Sequence, residues 1–511
     1  MLSFAWLGAA RLLIVDFDPN DIIFHYHGQE DDSRLGSKLA SLGDVNGDGF
    51  DDIAVSSANP RGIYVFFGGN PVDSFPDMFL EGYRTADPID LDGDGIPDVV
   101  TSKIIDPIGT IYFFKGYGDS LASVPYDSLK PETENYNFGS GLATGYIDAD
   151  EFGDILTSKR ITPDGPILYY YSGCPTLDTM ADWVWAVEEH LSHTFSDFGF
   201  IDFDGDGNQD IYLGLRADLD TLSYVYIFLG PDFGAGPDII IGHPLDYDPS
   251  PVDQEYFAVD VANVGDLDGD GFDELSVEYY DRAFIYKSGP GADTLWDYRL
   301  AEPSHVTSAA GDINGDGYGD LLAGGLSMYG TVDVYLGGNG SFDEECDMVI
   351  SRGDLPPLFL EFVGYSLSPA GDFNGDGYND FVFACENFAF GAPGDVFVVQ
   401  GGDYLPTDVT EPPERLLPEA FHLGQNYPNP FNAGTRIEFS LTREDTVTLT
   451  VFNILGQRVA TLIDGRKCSA GHHVVEWDGR FSDDNYAPSG VYFYKLTTSS
   501  HGETRKMVLV K

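Results

Sequence analysis

Short apolar runs alternate with turn-forming residues along most of the chain. Residues 63–67 (IYVFF), 110–114 (TIYFF), 224–229 (YVYIFL) and 396–399 (VFVV) combine β-branched and aromatic side chains, and stretches rich in Gly, Asp and Asn separate them. Runs this short, bounded by turn residues, are typical of buried strands and are too short for most helices. The pattern predicts an all-β protein with many short strands.

A nine-residue acidic phrase recurs between these runs, with the form Asp-x-Asp/Asn-x-Asp-Gly-x-x-Asp. Its seven copies begin at Asp44, Asp90, Asp148, Asp202, Asp266, Asp312 and Asp372. Each copy precedes a short apolar segment, a turn and a second apolar segment, which gives units of about fifty residues. Units with several strands each are typical of propeller blades. The spacing therefore predicts a seven-bladed β-propeller over residues 22–403.

Each acidic phrase, here called a loop and numbered one to seven, has the composition of a cation site. Oxygens at positions one, three, five and nine converge with the position-seven carbonyl when the chain turns tightly, and glycine at position six permits that turn. This set of hard oxygen ligands favours Ca²⁺ over Mg²⁺. Six complete loops predict about six Ca²⁺ ions per chain.

The predicted ligands are Asp44, Asn46, Asp48, Phe50 and Asp52 in loop one; Asp90, Asp92, Asp94, Ile96 and Asp98 in loop two; Asp202, Asp204, Asp206, Asn208 and Asp210 in loop four; Asp266, Asp268, Asp270, Phe272 and Glu274 in loop five; Asp312, Asn314, Asp316, Tyr318 and Asp320 in loop six; and Asp372, Asn374, Asp376, Tyr378 and Asp380 in loop seven.

Loop three departs from the pattern. Residues 148–154 (DADEFGD) are two residues short, so we expect the turn to persist with weak calcium binding or none. An EF-hand would require a Glu at position twelve and flanking helices. Val55 and Leu213 stand at that position, which excludes the EF-hand. Acidic turns that hold no ion are the other alternative.

The charge of the chain is concentrated in one region. The formal net charge is -59, yet residues 421–511 hold ten basic and nine acidic side chains, which leaves 16 basic and 76 acidic ones to the other 420 residues. Such a polyanion repels nucleic acids and anionic lipids. No apolar run is long enough for a transmembrane helix. The four scattered cysteines predict reduced thiols, with a Cys346–Cys385 bridge as the alternative.

Several short tags accompany the acidic loops. Phe138-Gly139 and Phe198-Gly199 precede loops three and four, Leu35-Gly36 is a weaker copy, and residues 391–393 spell Gly-Ala-Pro. With the loops, these tags make the repeats resemble the FG-GAP (VCBS-like) repeats of integrin α-subunits and bacterial surface proteins. The resemblance implies a propeller with calcium loops between the first two strands of each blade. It also implies that a strand at 22–26 closes the ring against the last blade.

A second module follows a Pro-rich, acidic linker at residues 404–420. Alternating apolar and polar residues at 446–452, 474–477, 491–496 and 507–510 predict a small immunoglobulin-like β-sandwich over 421–511. Its phrases at 425–432 (QNYPNPFN), 435–441, 451–462, 471–479, 489–496 and 506–511 resemble the type A sorting domain of type IX secretion. The alternative is an ordinary immunoglobulin-like domain, or one like that of the flagellar hook-capping protein.

The sorting resemblance implies the type IX secretion machinery as a partner, and an extracellular or outer-membrane surface location. Residues 1–21 are a remnant of a secretory signal or a first strand. No nucleophile elbow, phosphate loop or Cys-x-x-Cys pair is present in the sequence, so we expect no enzyme activity. His25 and His27 could offer a metal pair, but no third ligand is close in sequence.

The predicted function is a non-enzymatic, calcium-binding propeller for adhesion or for binding an unknown protein or glycan. Two alternatives remain open from the sequence. The first is a carbohydrate-binding protein in which Tyr169–Tyr171, Trp183 or Trp185 stack on sugars. The second is a calcium-dependent polysaccharide lyase or hydrolase, because carboxylate pairs for such chemistry are abundant.

Overall fold

The structure is a computed structural model of the chain. It describes residues 17–28, 34–104, 109–131, 137–147, 150, 152–159, 166–174, 180–187, 193–217, 223–244, 257–279, 282–302, 304–325, 330–339, 342, 344–356, 362–385, 394–402, 422–423, 426, 431, 435–441, 445–454, 457–468, 471–477, 479–481, 487–499 and 502–510. The tag at 391–393, the linker at 404–420 and residues 1–16 lie outside this set. The chain divides into two compact units, residues 1–408 and 409–511.

The first unit is built from antiparallel strands, which confirms the predicted all-β class. A 3-10 turn at Pro19–Asp21 leads into β1 (Ile22–His27). Each acidic loop then joins the first two strands of a four-stranded sheet, and we number these repeats one to seven by their loops.

The strands of repeats one to three are β2 (Leu39–Gly43), β3 (Asp52–Ala58), β4 (Arg61–Phe66), β5 (Met78–Leu80), β6 (Arg84–Thr85), β7 (Val99–Lys103), β8 (Thr110–Phe114), β9 (Asp127–Leu129), β10 (Phe138–Gly145), β11 (Asp154–Lys159), β12 (Ile167–Tyr171) and β13 (Trp183–Ala186). Those of repeats four to seven are β14 (His193–Ile201), β15 (Asp210–Ala217), β16 (Tyr224–Phe228), β17 (Ile239–Ile241), β18 (Phe257–Asn263), β19 (Leu275–Tyr279), β20 (Arg282–Tyr286), β21 (Tyr298–Arg299), β22 (Val306–Gly311), β23 (Asp320–Gly324), β24 (Thr331–Tyr335), β25 (Met348–Ser351), β26 (Val363–Gly371), β27 (Asp380–Cys385) and β28 (Asp395–Val399).

Repeat seven takes its fourth strand from the other end of the unit. Strand β1 pairs antiparallel with β28, and the sheet order is β1-β28-β27-β26. The register places His27 opposite Asp395 and Tyr26 opposite Val396. The predicted pairing of the early strand with the last repeat is therefore confirmed.

Buried apolar side chains lie between neighbouring sheets. Seven core clusters each combine residues of two successive repeats, and the seventh joins repeat seven to repeat one through Phe24, Val382 and Val55. Both faces of each central strand are thus covered, which explains why the strands are continuous apolar runs. Successive contacts that return to the first sheet are those of a β-propeller. Cys346 and Cys385 are buried in separate clusters and form no bridge.

The second unit has two sheets. One contains β29 (His422–Leu423), β30 (Thr435–Leu441) and β33 (Gly471–Trp477), in the order β29-β30-β33. The other contains β31 (Asp445–Asn453), β32 (Arg458–Cys468), β34 (Gly490–Thr497) and β35 (Gly502–Leu509), in the order β32-β31-β34-β35. Leu449, Trp477 and Tyr494 are buried in one core cluster. Among the described residues, no helix is long and apolar enough to cross a membrane.

A polar contact between residues far apart in the sequence joins β1 to β28. Asp395 Oδ1 lies 2.8 Å from His25 Nε2 and 2.8 Å from His27 Nδ1, and the Asp395 side chain is 1% exposed. The sequence analysis did not identify this partner, because Asp395 is about 370 residues away in the chain. His25 also stacks on Phe397 at a ring separation of 4.4 Å. Two side chains of β1 are thus fixed to β28.

We predict that Asp395→Ala lowers the free energy of unfolding by about 1–3 kcal/mol, because both histidine contacts are lost at a buried position. Urea denaturation followed by tryptophan fluorescence measures this change. Asp232→Ala, at an exposed position, is the matched control and should change little. Equal stability of the two variants would show that the contact does not hold β1.

Candidate metal centres

The six complete loops share one backbone geometry. In loop one, the Asp44 carboxylate accepts hydrogen bonds from the N–H groups of Asp48 at 3.0 Å and Gly49 at 2.9 Å, and Asp48 accepts from Phe50 N–H at 3.0 Å. The same position-one and position-five contacts recur in the other five. Gly49 has φ +93°, a conformation that favours glycine. The repeated phrase therefore folds into a repeated turn.

The position-nine side chain, here called the clasp carboxylate, joins the loop to a distant strand. Asp380 accepts from Phe373 N–H at 3.1 Å and from Gly401 N–H at 2.8 Å. Asp52 bonds Val45 and Gly68 in the same way. The second donor, here called the clasp glycine, follows the third strand in every repeat except five, where Glu274 accepts only from Leu267 N–H. The clasp carboxylates are Asp52, Asp98, Asp154, Asp210, Glu274, Asp320 and Asp380, each at most 1% exposed.

Burial makes ionisation of these groups costly. It raises the pKa of Asp52 and Asp380 to about 8, and nearby acidic positions of the same loops add to the shift. Burial also raises the pKa of Asp98 and Asp210 to about 6. The backbone hydrogen bonds act in the opposite direction but do not outweigh burial. A nearby cation would stabilise the charged forms.

Three loops bring carboxylate oxygens close enough to share one ion. Oxygens of Asp90, Asp92 and Asp94 lie within 4.8 Å of one another, as do those of Asp202, Asp204 and Asp206, and those of Asp266, Asp268 and Glu274. Asp92 Oδ1 and Glu274 Oε1 are buried and have no hydrogen-bond partner. Unpaired buried carboxylate oxygens are suited to a hard cation. The donor sets therefore fit Ca²⁺.

Loops one, six and seven carry asparagine at position three, so they bring together fewer carboxylates. The Oδ1 atoms of Asn46, Asn314 and Asn374 each accept the position-five N–H, and their Nδ2 atoms donate to the position-five carboxylate at 3.0 Å. The neutral amide takes the place of one negative charge. These loops therefore have less internal repulsion than loops two, four and five.

Loop three keeps only part of the site. Its clasp carboxylate, Asp154, accepts from Ile147 N–H at 2.6 Å and from Gly173 N–H at 2.8 Å. Asp150 accepts from Phe152 N–H at 2.9 Å, while Asp148, Ala149 and Glu151 lie outside the described residues. The turn thus retains its structural contact at the position-nine end. Its weak calcium binding stays a prediction.

Loops two and five are each contacted by a lysine that the sequence analysis missed. Lys115 Nζ contacts Asp92 and lies 2.8 Å from Asp94 Oδ2. Lys287 Nζ contacts Asp268 and lies 3.7 Å from Asp270 Oδ2. Burial alone would lower the pKa of Lys115, but its contacts with Asp92 and Asp94 raise it. Both lysines follow a third strand, about twenty residues from the loops they contact.

Neighbouring loops are joined along the ring. The position-eight N–H donates to the position-one carbonyl of the preceding loop, from Asp51 to Asp372 at 3.2 Å and from Gly319 to Asp266 at 2.9 Å. Position four of one loop packs on position seven of the next, and a Cβ added to Gly375 would lie 2.3 Å from Phe50. These contacts connect loop two to loop three and join loops five, six, seven and one in a series. Only the tertiary structure shows this connection.

A second acidic position also escaped the sequence analysis. Asp77 Oδ2 accepts from Phe67 N–H at 2.8 Å, and Asp297 Oδ2 accepts from Lys287 N–H at 3.0 Å. Burial raises the pKa of both aspartates. Each directly precedes the fourth strand of its repeat. An Asp before a short fourth strand was the sequence signal that could have identified this position. The equivalent residues elsewhere are Asp182, Asp238 and Asp347.

The aromatic residues considered for sugar stacking are engaged in packing. Trp185 packs among Phe195, Tyr226 and Phe228 at ring separations of 5.3 to 6.3 Å, and Trp183 Nε1 donates to a backbone carbonyl at 3.0 Å. Tyr170 and Tyr171 are buried, and Tyr169 packs on the edge of Phe138. Tyr170, Trp183 and Trp185 support the contact between repeats three and four, and Tyr169 and Tyr171 that between repeats two and three.

Comparison with known proteins agrees with the repeats and the second fold. Residues 36–66 match the FG-GAP repeat, and residues 426–502 match the FlgD Ig-like domain. Integrin alpha-5 of Xenopus laevis is 38% identical over 127 residues, which cover 20% of this chain and 12% of the relative. Integrin alpha-PS3 of Drosophila melanogaster is 34% identical over 91 residues, covering 17% and 8%. Residues 36–66, which contain loop one, are therefore similar to an FG-GAP repeat.

The chain thus spans only about a tenth of the length of these curated relatives. A solved structure of PorZ, described as an essential surface component of the type-IX secretion system of Porphyromonas gingivalis, is 12% identical. Its match covers 95% of this chain and 60% of that chain, with a TM-score of 0.34. For the fold of the second unit, the match over residues 426–502 favours the alternative of a domain like that of the flagellar hook-capping protein.

We predict that calcium-free protein loses stability as the pH rises from about 5 to 8. The clasp carboxylates of Asp52 and Asp380 have a pKa raised to about 8 in the folded chain and about 4 when unfolded. The folded state then binds more protons across this window, so the free energy of unfolding falls with pH. Resin-treated protein should show a melting temperature lower by roughly 3 °C or more at pH 8 than at pH 5.

Saturating Ca²⁺ is the control for this pH series. A cation at the loops stabilises the ionised carboxylates, so the decrease should become smaller when calcium is present. A melting temperature that rises with pH in calcium-free buffer would contradict the assignment of these groups as costly buried acids.

Proposed function

We propose that residues 22–403 form a seven-bladed, calcium-stabilised propeller that binds a protein or glycan ligand outside the cell or at its surface, without catalysis. The observation that carries this proposal is the set of buried clasp carboxylates, each close to other acids of its own loop. Such a set is unfavourable alone and favourable around a divalent cation. The FG-GAP match over residues 36–66 supports the same role.

Calcium would act on the scaffold rather than on a reaction. When bound, it supplies positive charge that neutralises the loop carboxylates and fixes the turn. The chain's own residues then hold the strands in place, since in six of the seven repeats the clasp carboxylate joins the start of its loop to the segment after the third strand. Because the loops are joined to one another, ordering one loop restrains its neighbours. A rigid ring of this kind presents its connecting segments to ligands.

Two features favour a binding role over an enzymatic one. The clasp carboxylates hydrogen bond to backbone amides, which gives them a structural role. The aromatic side chains suggested for sugar stacking pack between neighbouring repeats. The integrin alpha relatives also favour a surface or extracellular location for the propeller.

We predict that chelation lowers the melting temperature by about 10 °C or more, since several ions that bind only the folded state each add stability. Asp48→Ala should remove one ion, because it deletes position five of loop one. Elemental analysis after dialysis counts the ions, and calorimetry gives the melting temperature. Asp73→Ala, an exposed acid of the same repeat, should keep the full count. Metal analysis that finds one ion or none in wild-type protein would reject the proposal.

We further propose that residues 421–511 are a sorting domain for type IX secretion, linked through residues 404–420. Six phrases in the order typical of type A sorting domains support this, as does the folded two-sheet unit that contains them. The near-neutral charge of this region, beside a strongly acidic propeller, also favours a separate role. The Pro-rich linker is a suitable substrate for a processing peptidase.

We predict that deletion of residues 424–511 leaves folded propeller in the periplasm with unchanged calcium content. Mass spectrometry of the exported protein should place the new carboxyl terminus between about Asp403 and Phe421. Deletion of residues 404–420 alone is the matched control for processing, and it should be exported with the tail retained. Normal export of the tail-less chain, with mature protein still carrying peptides through Lys511, would identify the tail as a permanent structural domain.

A further inference from the structure

One position distinguishes two repeats from the other five. This position lies directly after the third strand of each repeat and, in every repeat except five, directly before the clasp glycine. In repeats two and five it is Lys115 and Lys287. In the remaining repeats it carries no charge, and the residues are Phe67, Ser172, Leu229, Leu336 and Gln400. The backbone of this position is equivalent in repeats one and five, because Phe67 N–H and Lys287 N–H both donate to the aspartate before the outer strand.

Both lysines place the ammonium group among predicted calcium ligands. Lys115 Nζ contacts Asp92 and lies 2.8 Å from Asp94 Oδ2, so it joins positions three and five of loop two. Lys287 Nζ contacts Asp268 and lies 3.7 Å from Asp270 Oδ2, so it joins the same two positions of loop five. The identical choice of partners in two repeats indicates a shared role.

The lysine contacts are partly shielded from water. The side chains of Lys115 and Lys287 are 21% and 31% exposed, and the Asp268 side chain is 0% exposed. In loop five, Tyr298 Oη also donates to Asp268 Oδ2 at 3.3 Å, and Lys287 Nζ lies 5.8 Å from the centre of the Tyr298 ring. A charge pair with reduced exposure is screened less than a surface pair.

We propose that Lys115 and Lys287 are built-in cations that neutralise loops two and five, so that only loops one, four, six and seven bind Ca²⁺ tightly. This inference rests on the proposed calcium function. An ammonium group on the same chain is always present at its site, whereas Ca²⁺ must displace it before it can reach positions three and five. Loops two and four both carry aspartate at positions one, three, five and nine, so these side chains do not distinguish a loop with a lysine from one without.

In repeats one, four, six and seven, the residue at the lysine position is neutral and leaves the loop available to a cation. Leu229 and Leu336 have no charge with which to replace a cation. Gln400 Nε2 donates to Asp21 Oδ1 at 3.3 Å and is thus directed to the ring-closing segment. Phe67 is likewise neutral. The difference between the two classes of loop therefore lies outside the nine-residue phrase.

The test compares calcium stoichiometry in four chains of the full-length protein. Wild type should bind four ions tightly by calorimetric titration and elemental analysis. The double variant Lys115→Met, Lys287→Met should bind six, with a roughly 100-fold gain in affinity at the two new sites. Lys103→Met, which removes a lysine of repeat two that pairs with Glu81 outside the loop, is the control and should bind four.

The reverse substitution tests the same idea in a loop without a lysine. Leu229→Lys introduces the ammonium group into repeat four and should lower the count from four to three. This variant keeps the inference testable where the double variant fails to fold. Six tight ions in wild type, unchanged by the substitutions, would overturn the lysine inference alone. No tight ion in any folded chain would instead overturn the calcium function on which it rests.

Discussion

The structure depends on a buried carboxylate at the end of each acidic loop. In six of the seven repeats this group accepts one N–H from the start of its own loop and a second from a clasp glycine after the third strand. Repeat five uses Glu274, whose Oε2 accepts from Leu267 while Oε1 has no hydrogen-bond partner. The contact joins three of the four strands of a sheet through one side chain. Its cost is the desolvation of a negative charge beside other negative charges.

That cost gives each loop two properties, a structural contact and the acidic composition of a cation site. A neutral side chain could hold the two amides with less desolvation, but it would not give the loop its charge. Once several acids are placed together, some positive charge has to neutralise them. The chain supplies it in two chemical forms. Lysine provides it from the chain itself in repeats two and five, and the solvent would provide it as Ca²⁺ elsewhere.

The ring distributes this arrangement around the whole first unit. Each core cluster is shared by two repeats, and neighbouring loops are linked by backbone hydrogen bonds. No repeat can bury its apolar faces alone, so stability depends on the complete ring. The contacts of His25 and His27 with Asp395 complete it between the two ends of the unit. Local changes in a loop therefore affect neighbours that are distant in sequence.

The sequence by itself determined the strands, the repeats and the turn that each acidic phrase forms. Those features follow local rules, because alternation, turn residues and ligand spacing act over fewer than about ten residues. Even the closing strand at 22–26 was predictable once the repeat was recognised. The two-sheet second unit also followed from its alternating pattern, and the FlgD Ig-like match agrees with it.

Only the tertiary structure decided which groups meet across larger separations. The clasp glycines lie 16 to 21 residues beyond their carboxylates, and Asp395 lies 370 residues beyond His25. The approach of Lys115 and Lys287 to their loops depends on the length of two strands and the turn between them. No local pattern fixes such distances, because strand register and turn length vary from repeat to repeat. Which loops have a lysine ammonium group beside them was therefore decided by the fold and not by the acidic phrase.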